Sequence, residues 1–170
     1  MESRRGRGVV RLNMLLVALF AALPTLAGQP PAAFGQGLVV AQSVEQTAAI
    51  DRAEVERLPA TEQRVSFQTE HGTEQATFGG PLLWSVLEHA GVLGGDPRAR
   101  LRRSVVVTGR DGYVAVLALA EIDPEFENKP VLLAYRRDGE PLPGNELRLV
   151  VPGDRRGGRS VRAVARIELR

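Results

Sequence analysis

Apolar and polar residues alternate along much of this chain, and the period of the alternation changes from segment to segment. In residues 64–69, Val65 and Phe67 stand between polar neighbours, which predicts a half-buried strand. His71-Gly72 predicts a turn, and residues 75–78 predict a short returning strand. The period then lengthens in GGPLLWSVLEHAGV. Leu82, Leu83, Val86, Leu87 and Ala90 recur at helical spacing, Pro81 stands where the first turn would lack a partner for its N–H, and Gly91 suits the position just past the end. An amphipathic helix of about ten residues follows from this pattern, with Trp84 at the edge of the core.

Strand signals dominate the remainder. Residues 101–108 are rich in β-branched side chains, Gly109-Arg110-Asp111-Gly112 reads as a turn, and residues 113–117 return, which predicts a β-hairpin. Residues 119–122 predict a short helix stopped by Asp123-Pro124. Further strands are expected at 130–136, 147–151 and 160–169, with a turn at Asp138-Gly139 and a loop at 152–159. In the last strand Val161, Ala163, Ala165, Ile167 and Leu169 share one face, while Arg162, Arg166 and Glu168 mostly take the other. There is no internal repeat. The order predicts a single α+β domain with a mixed or antiparallel sheet and short helices.

The N-terminal third reads differently. Arg4, Arg5, Arg7 and Arg11 precede an apolar run at 14–23, then Pro24 and small residues, so residues 1–35 read as a signal peptide with cleavage after Ala27 or Gly35. The run is short for a membrane span, which needs about 20 apolar residues. Export to the periplasm or the exterior is therefore expected, with no stable span after cleavage; an uncleaved leader would anchor the chain. Residues 29–42 are rich in Pro, Ala and Gly and read as linker, and 43–58 as a peripheral helix or irregular arm starting near Ser43 and Gln46. The expected division is thus leader at 1–35, linker and arm at 36–63, and folded domain at 64–170.

Charge changes the picture only once the leader is set aside. The whole chain is +2, but residues 1–35 contribute four Arg against one Glu. The remainder is slightly acidic, which argues against nucleic-acid binding. It is also uneven: residues 36–96 hold three Arg and nine acids, while 97–170 hold fifteen basic residues and ten acids. A basic C-terminal half favours an anionic ligand, and a solvated charged surface is the plainer alternative. With no Cys, the fold must rest on its core, and thiolate metal sites and cysteine nucleophiles are excluded. The exported domain's expected partners are an anionic ligand or a periplasmic protein.

Five segments, GGPLLWSVLEHAGV, DGYVAVLALAE, VLLAYRRDGEPLP, LRLVVPG and SVRAVARIEL, occur in an order and spacing that resembles the molybdopterin-binding domain of sulfite-oxidase-type oxidoreductases, over roughly residues 65–169. The resemblance implies that fold, a molybdopterin cofactor and an oxidoreductase setting. It also implies a cysteine thiolate on molybdenum, which this chain does not have. Pro143-Gly144-Asn145-Glu146 replaces the family's usual His-Gly stretch, and Arg162-Ala163 its Lys-Trp. The resemblance therefore supports the fold more strongly than independent redox catalysis. A cofactor-free ligand- or protein-binding module on the same fold is the alternative.

Arg148, Arg155, Arg156, Arg159, Ser160 and Arg162 are the candidate anion or pterin-phosphate site. Guanidinium forks and loop N–H groups suit oxyanions, and a solvated polar loop is the competing reading. Asp111 and Tyr113 are explained by turn structure, His71 and His89 show no convergence as metal ligands, and Glu121, Asp123, Glu125 and Glu127 read as a solvated helix end and loop. No catalytic residue is assigned.

Overall fold

The computed structural model describes residues 37–42, 47–69 and 71–170, with the side chain of Asn145 set aside. The leader reading, the possible anchor and the Ser43–Gln46 helix start lie outside these residues. Among the described residues no helix is long and apolar enough to cross a membrane.

Most of the described chain is sheet. A mixed five-stranded sheet has the order β2 (Thr47–Ile50), β1 (Leu38–Ala41), β11 (Val164–Leu169), β5 (Ser104–Gly109), β6 (Val114–Ala118). Only β1 and β11 run parallel; the other pairs are antiparallel. A second sheet joins β3 (Ala60–Thr69), β4 (Gly72–Pro81), β8 (Arg136–Arg137) and β9 (Glu140–Pro141). Between the two lies a ribbon of β7 (Leu132–Ala134) and β10 (Arg148–Val150). Short helices complete the fold: α1 (Arg52–Arg57), α2 (Leu83–His89), α3 (Pro97–Arg100) and α4 (Leu119–Ile122).

The ribbon explains the near-continuous apolar runs at its two strands. Leu133 and Leu149 point into one core with Val107, Ile167 and Leu87, while Leu132, Ala134 and Val150 point into a second core with Val65, Phe67 and Phe78. Strands buried on both faces lose the polar half of the alternation.

Several sequence expectations are corrected. Residues 38–41, read as linker, form β1, the second strand of the large sheet; Leu38, Val40 and Ala41 are buried. Residues 47–58 are not one helix or arm but β2 followed by α1. Asp51 accepts from the Glu54 N–H and Glu54 Oε2 accepts from the Asp51 N–H, which caps α1 at both ends of its first turn. The folded region thus begins well before residue 64. Residues 79–81, expected to open the helix, end β4 instead. Gly80 lies so close to β7 that a Cβ there would stand 2.7 Å from the Ala134 Cα. That close packing holds the segment extended and leaves α2 seven residues long. The final strand starts at Val164, because Ala163 takes φ of 45° and a register shift separates Val164 from Arg166.

Candidate functional site

β10 supplies the central residue. Arg148 is buried, and its guanidinium carbon lies 4.8 Å from the Phe78 ring centroid and 5.9 Å from that of Phe67. Aromatic faces attract a cation at such distances. Its Nε donates to the Ser160 hydroxyl at 3.0 Å, and Ser160 Oγ donates to the Leu149 carbonyl at 2.9 Å. Its Nη1 is 3.5 Å from Glu74 Oε1, which is also 3.1 Å from Arg137 Nη1.

Burial lowers the Arg148 pKa from its ordinary value; Glu74 acts in the opposite sense, and Arg162 and Arg137 repel the charge further. An arginine stays protonated in proteins even so. The result is a buried cation with two cationic neighbours; Glu74 lies between Arg148 and Arg137, and Arg137 is also paired with Asp138 at 3.3 Å, so three guanidinium groups meet two carboxylates. Such a centre is under-neutralised, and an anion would relieve it.

A cavity of about 620 Å³ opens beside this centre, of a size usual for small-ligand sites. Arg148, Arg156, Ser160 and Arg162 line it, with Gly157 and Phe67 packed at one wall. A Cβ at Gly157 would meet the Phe67 ring at 3.0 Å, so this glycine lets the loop lie against the aromatic face. The loop is pinned to β3 by the Gln68 N–H donating to the Arg155 carbonyl at 2.9 Å. Smaller hollows of about 400 and 410 Å³ adjoin, and both include Arg137 and Arg162.

Four of the six residues expected from sequence therefore meet at one cavity, and two do not. Arg159 donates to Asp154 Oδ1 at 2.6 Å and to Glu121 Oε2 at 3.0 Å. The Asp154 hydrogen bond, followed by that of Glu121, raises its pKa above the ordinary value. Its charge is already matched, and its work is to hold the loop. Arg155 is exposed and contributes its carbonyl to Gln68 rather than its side chain to the cavity.

The other candidates resolve as follows. Asp111 Oδ1 accepts from the Tyr113 N–H, a turn role, and the Tyr113 hydroxyl donates to the Gly158 carbonyl. His89 is exposed on α2 and His71 lies in the β3–β4 turn, facing the 400 Å³ hollow. The acidic segment is not uniformly solvated. Asp123 is fully buried and pairs with Arg100 at 3.2 Å, while Glu121 pairs with Arg159 and Lys129. Arg137, Glu74, Phe67 and Phe78 belong to the centre but carry no local sequence signal. They come from β8, β4 and β3, brought together by pairings such as Phe78 with Arg137.

The donor set divides by chemistry. Arginines and a hydroxyl fit the phosphate end of a pterin cofactor. The chain has no Cys to offer as a thiolate ligand, and no cluster of three His, Asp or Glu side chains stands ready among the described residues.

The family profile described as "Oxidoreductase molybdopterin binding domain" matches residues 36–170. Among solved structures, the sulfane dehydrogenase SoxCD from Paracoccus pantotrophus is similar, with a TM-score of 0.62 at 19% identity. The similarity covers 78% of this chain but 37% of that one, so this chain spans little more than a third of its structural relative. At that identity the likeness establishes the fold. Comparison with curated proteins returns no match.

Proposed function

Because this chain belongs to the oxidoreductase molybdopterin-binding domain family, we propose that it is an exported receptor for the phosphate end of a pterin-type ligand and does not itself ligate molybdenum. The observation that carries the reading is the under-neutralised Arg148 centre, with Arg137 and Arg162 beside it and one cavity in front of it. Arg148, held rigid by Ser160 and the two phenylalanine rings, would orient the anion; Arg162 and Arg156, more exposed, would draw it in. The family match supports the cofactor class. The missing thiolate is the reason the proposed role stops at binding, and any redox function is assigned to an assembly that supplies a metal ligand from elsewhere.

The test is thermal unfolding of the purified chain with a phosphorylated pterin, inorganic phosphate and a neutral pterin. The phosphorylated pterin should raise the midpoint, with a stabilisation of about 2.7 kcal/mol at a hundredfold excess over its Kd. Arg162→Gln should remove most of that shift without lowering the unliganded midpoint, because Arg162 is exposed, has no ion pair among the described residues and repels Arg148. Equal shifts in wild type and Arg162→Gln would reject the site. Metal analysis of protein from cells that make the cofactor should find less than one molybdenum per chain; a stoichiometric, redox-active metal would reject the second half of the proposal. Export rests on the basic and apolar leader pattern and is checked by cell fractionation with N-terminal sequencing.

A cofactor-free module remains the second reading, favoured by the same absence of Cys. It predicts that no pterin co-purifies and that phosphate alone shifts the midpoint as much as the phosphorylated pterin does.

A further inference from the structure

Arg162 reaches the cavity from a stretch that departs from regular strand pairing. The Leu149 N–H donates to the Val161 carbonyl at 2.9 Å, and the Val164 N–H donates to the Leu147 carbonyl at 2.8 Å. Residues 147–149 are thus spanned by the longer stretch 161–164, and Arg148 stands opposite both Arg162 and Ala163. That extra residue makes a β-bulge. Leu147, Leu149, Val161 and Val164 all lie in the larger core. Regular alternation would turn Ala163 inward beside Val161 and send Val164 out. The bulge keeps both valines inside and leaves Arg162 exposed on the side of Arg148, where both arginines line the hollows of about 620 and 410 Å³. Ala163 takes φ of 45°, a left-handed conformation that is uncommon for any residue but glycine. Its carbonyl accepts from the Arg110 N–H at 2.9 Å, and a Cβ at Gly109 would stand 2.8 Å from the Arg162 carbonyl oxygen. The β5–β6 turn thus clamps the bulge from its other edge.

We propose that Ala163 is a positioning residue of the anion site: its left-handed conformation sets the bulge that presents Arg162 beside Arg148. The inference rests on the ligand reading above and adds to it a residue that acts through Arg162 rather than through a charge of its own. Arg162 and Arg148 repel each other, so on a regular, unclamped strand Arg162 would turn away. Fixing the backbone on both sides instead keeps two guanidinium groups facing one cavity before any anion arrives, which lowers the ordering cost of binding. A strained conformation persists only where its surroundings over-determine it, and the hydrogen bonds to Leu147, Leu149 and Arg110 do so here.

Calorimetric titration of the full chain with a phosphorylated pterin tests it. Ala163→Val, whose β-branched side chain resists positive φ, should weaken binding about tenfold and flatten its dependence on salt, as loss of Arg162 does. Ala163→Gly, which takes that φ readily, should keep the affinity within about twofold. The double variant Ala163→Val/Arg162→Gln should bind no more weakly than Arg162→Gln alone, whereas a loss unrelated to Arg162 would add to it. Equal affinity in wild type and Ala163→Val, a loss in Ala163→Gly as large as in Ala163→Val, or additive losses in the double variant would overturn the positioning role and leave the ligand reading standing. A wild-type chain that does not bind the pterin rejects that reading, and the positioning role with it. Should Ala163→Val not fold, a crystal structure of the wild type with the phosphorylated pterin decides. Ala163 at positive φ, with Arg148 and Arg162 both on the phosphate, is expected; an extended Ala163, or an Arg162 away from the phosphate, overturns the role.

Discussion

Arg159 and Arg162 are close in sequence and carry the same charge, yet their surroundings separate an ion-paired tether from an exposed cation at the cavity. Arg159 joins the loop at Asp154 to α4 at Glu121, and that pair has a pH signature. Burial of Glu121 raises its pKa, but hydrogen bonds from Arg159 and the Ala118 N–H, with attraction from Arg159 and Lys129, outweigh this and leave the carboxyl below its ordinary value. A carboxyl whose folded pKa is depressed stabilises the fold above its unfolded pKa of about 4.3, and that contribution fades as the pH falls through the folded value. Glu121→Gln should therefore cost about 1 kcal/mol at neutral pH, the upper range for a partly exposed pair, and almost nothing in acid. Denaturant titrations at both pH values check this, and a pH-independent difference would contradict the assigned charge role. Sequence alone could not separate the two arginines. The local stretch placed Arg148, Arg156, Ser160 and Arg162 together, but nothing in it shows that a glutamate 38 positions away neutralises Arg159.

At the scale of elements, legibility followed locality. The β5–β6 hairpin was readable because its turn and both strands are contiguous. β1 was not: LVVA is a four-residue apolar run after a Pro- and Ala-rich stretch, and its partner β11 lies at the far end of the chain. The helix start at Pro81 was misplaced because proline and glycine suit a helix entrance and a tightly packed strand equally well. Tertiary packing decided, through the contact of Gly80 with β7. Two variants test this account. Gly80→Ala would push a methyl to 2.4 Å from the Leu133 carbonyl oxygen and should destabilise by about 3 kcal/mol, the upper range for overpacking. A loss below about 0.5 kcal/mol, the level of an ordinary surface change, would mean that β4 and β7 are not so closely apposed. A chain beginning at residue 64 should fail to unfold cooperatively, because β1, β2 and α1 are gone, whereas one beginning at 37 should retain a cooperative transition. Equal cooperativity would return residues 37–63 to the status of a linker.

For the molecule as a whole, the uneven charge acquires a location. Among the basic residues of 97–170, Arg100, Lys129 and Arg159 are spent on ion pairs, while Arg148, Arg156 and Arg162 gather at the cavity. Net charge alone could not show this, since residues 36–170 together are near neutral. On the proposed reading, this distribution makes ligand affinity depend on salt in a particular way. Exposed Arg156 and Arg162 act through water, where the screening length is about 10 Å at 0.1 M salt. Arg148, shielded by Phe67, Phe78 and Ser160, acts at short range and is screened much less. Raising chloride should therefore weaken phosphorylated-pterin binding steeply at first and then toward a floor set by Arg148. In Arg162→Gln the initial slope should flatten while the floor remains. Calorimetric titrations over a salt series read both quantities. A slope unchanged by Arg162→Gln would place the long-range attraction elsewhere, and affinity that falls to nothing in high salt would remove Arg148 from direct contact with the anion.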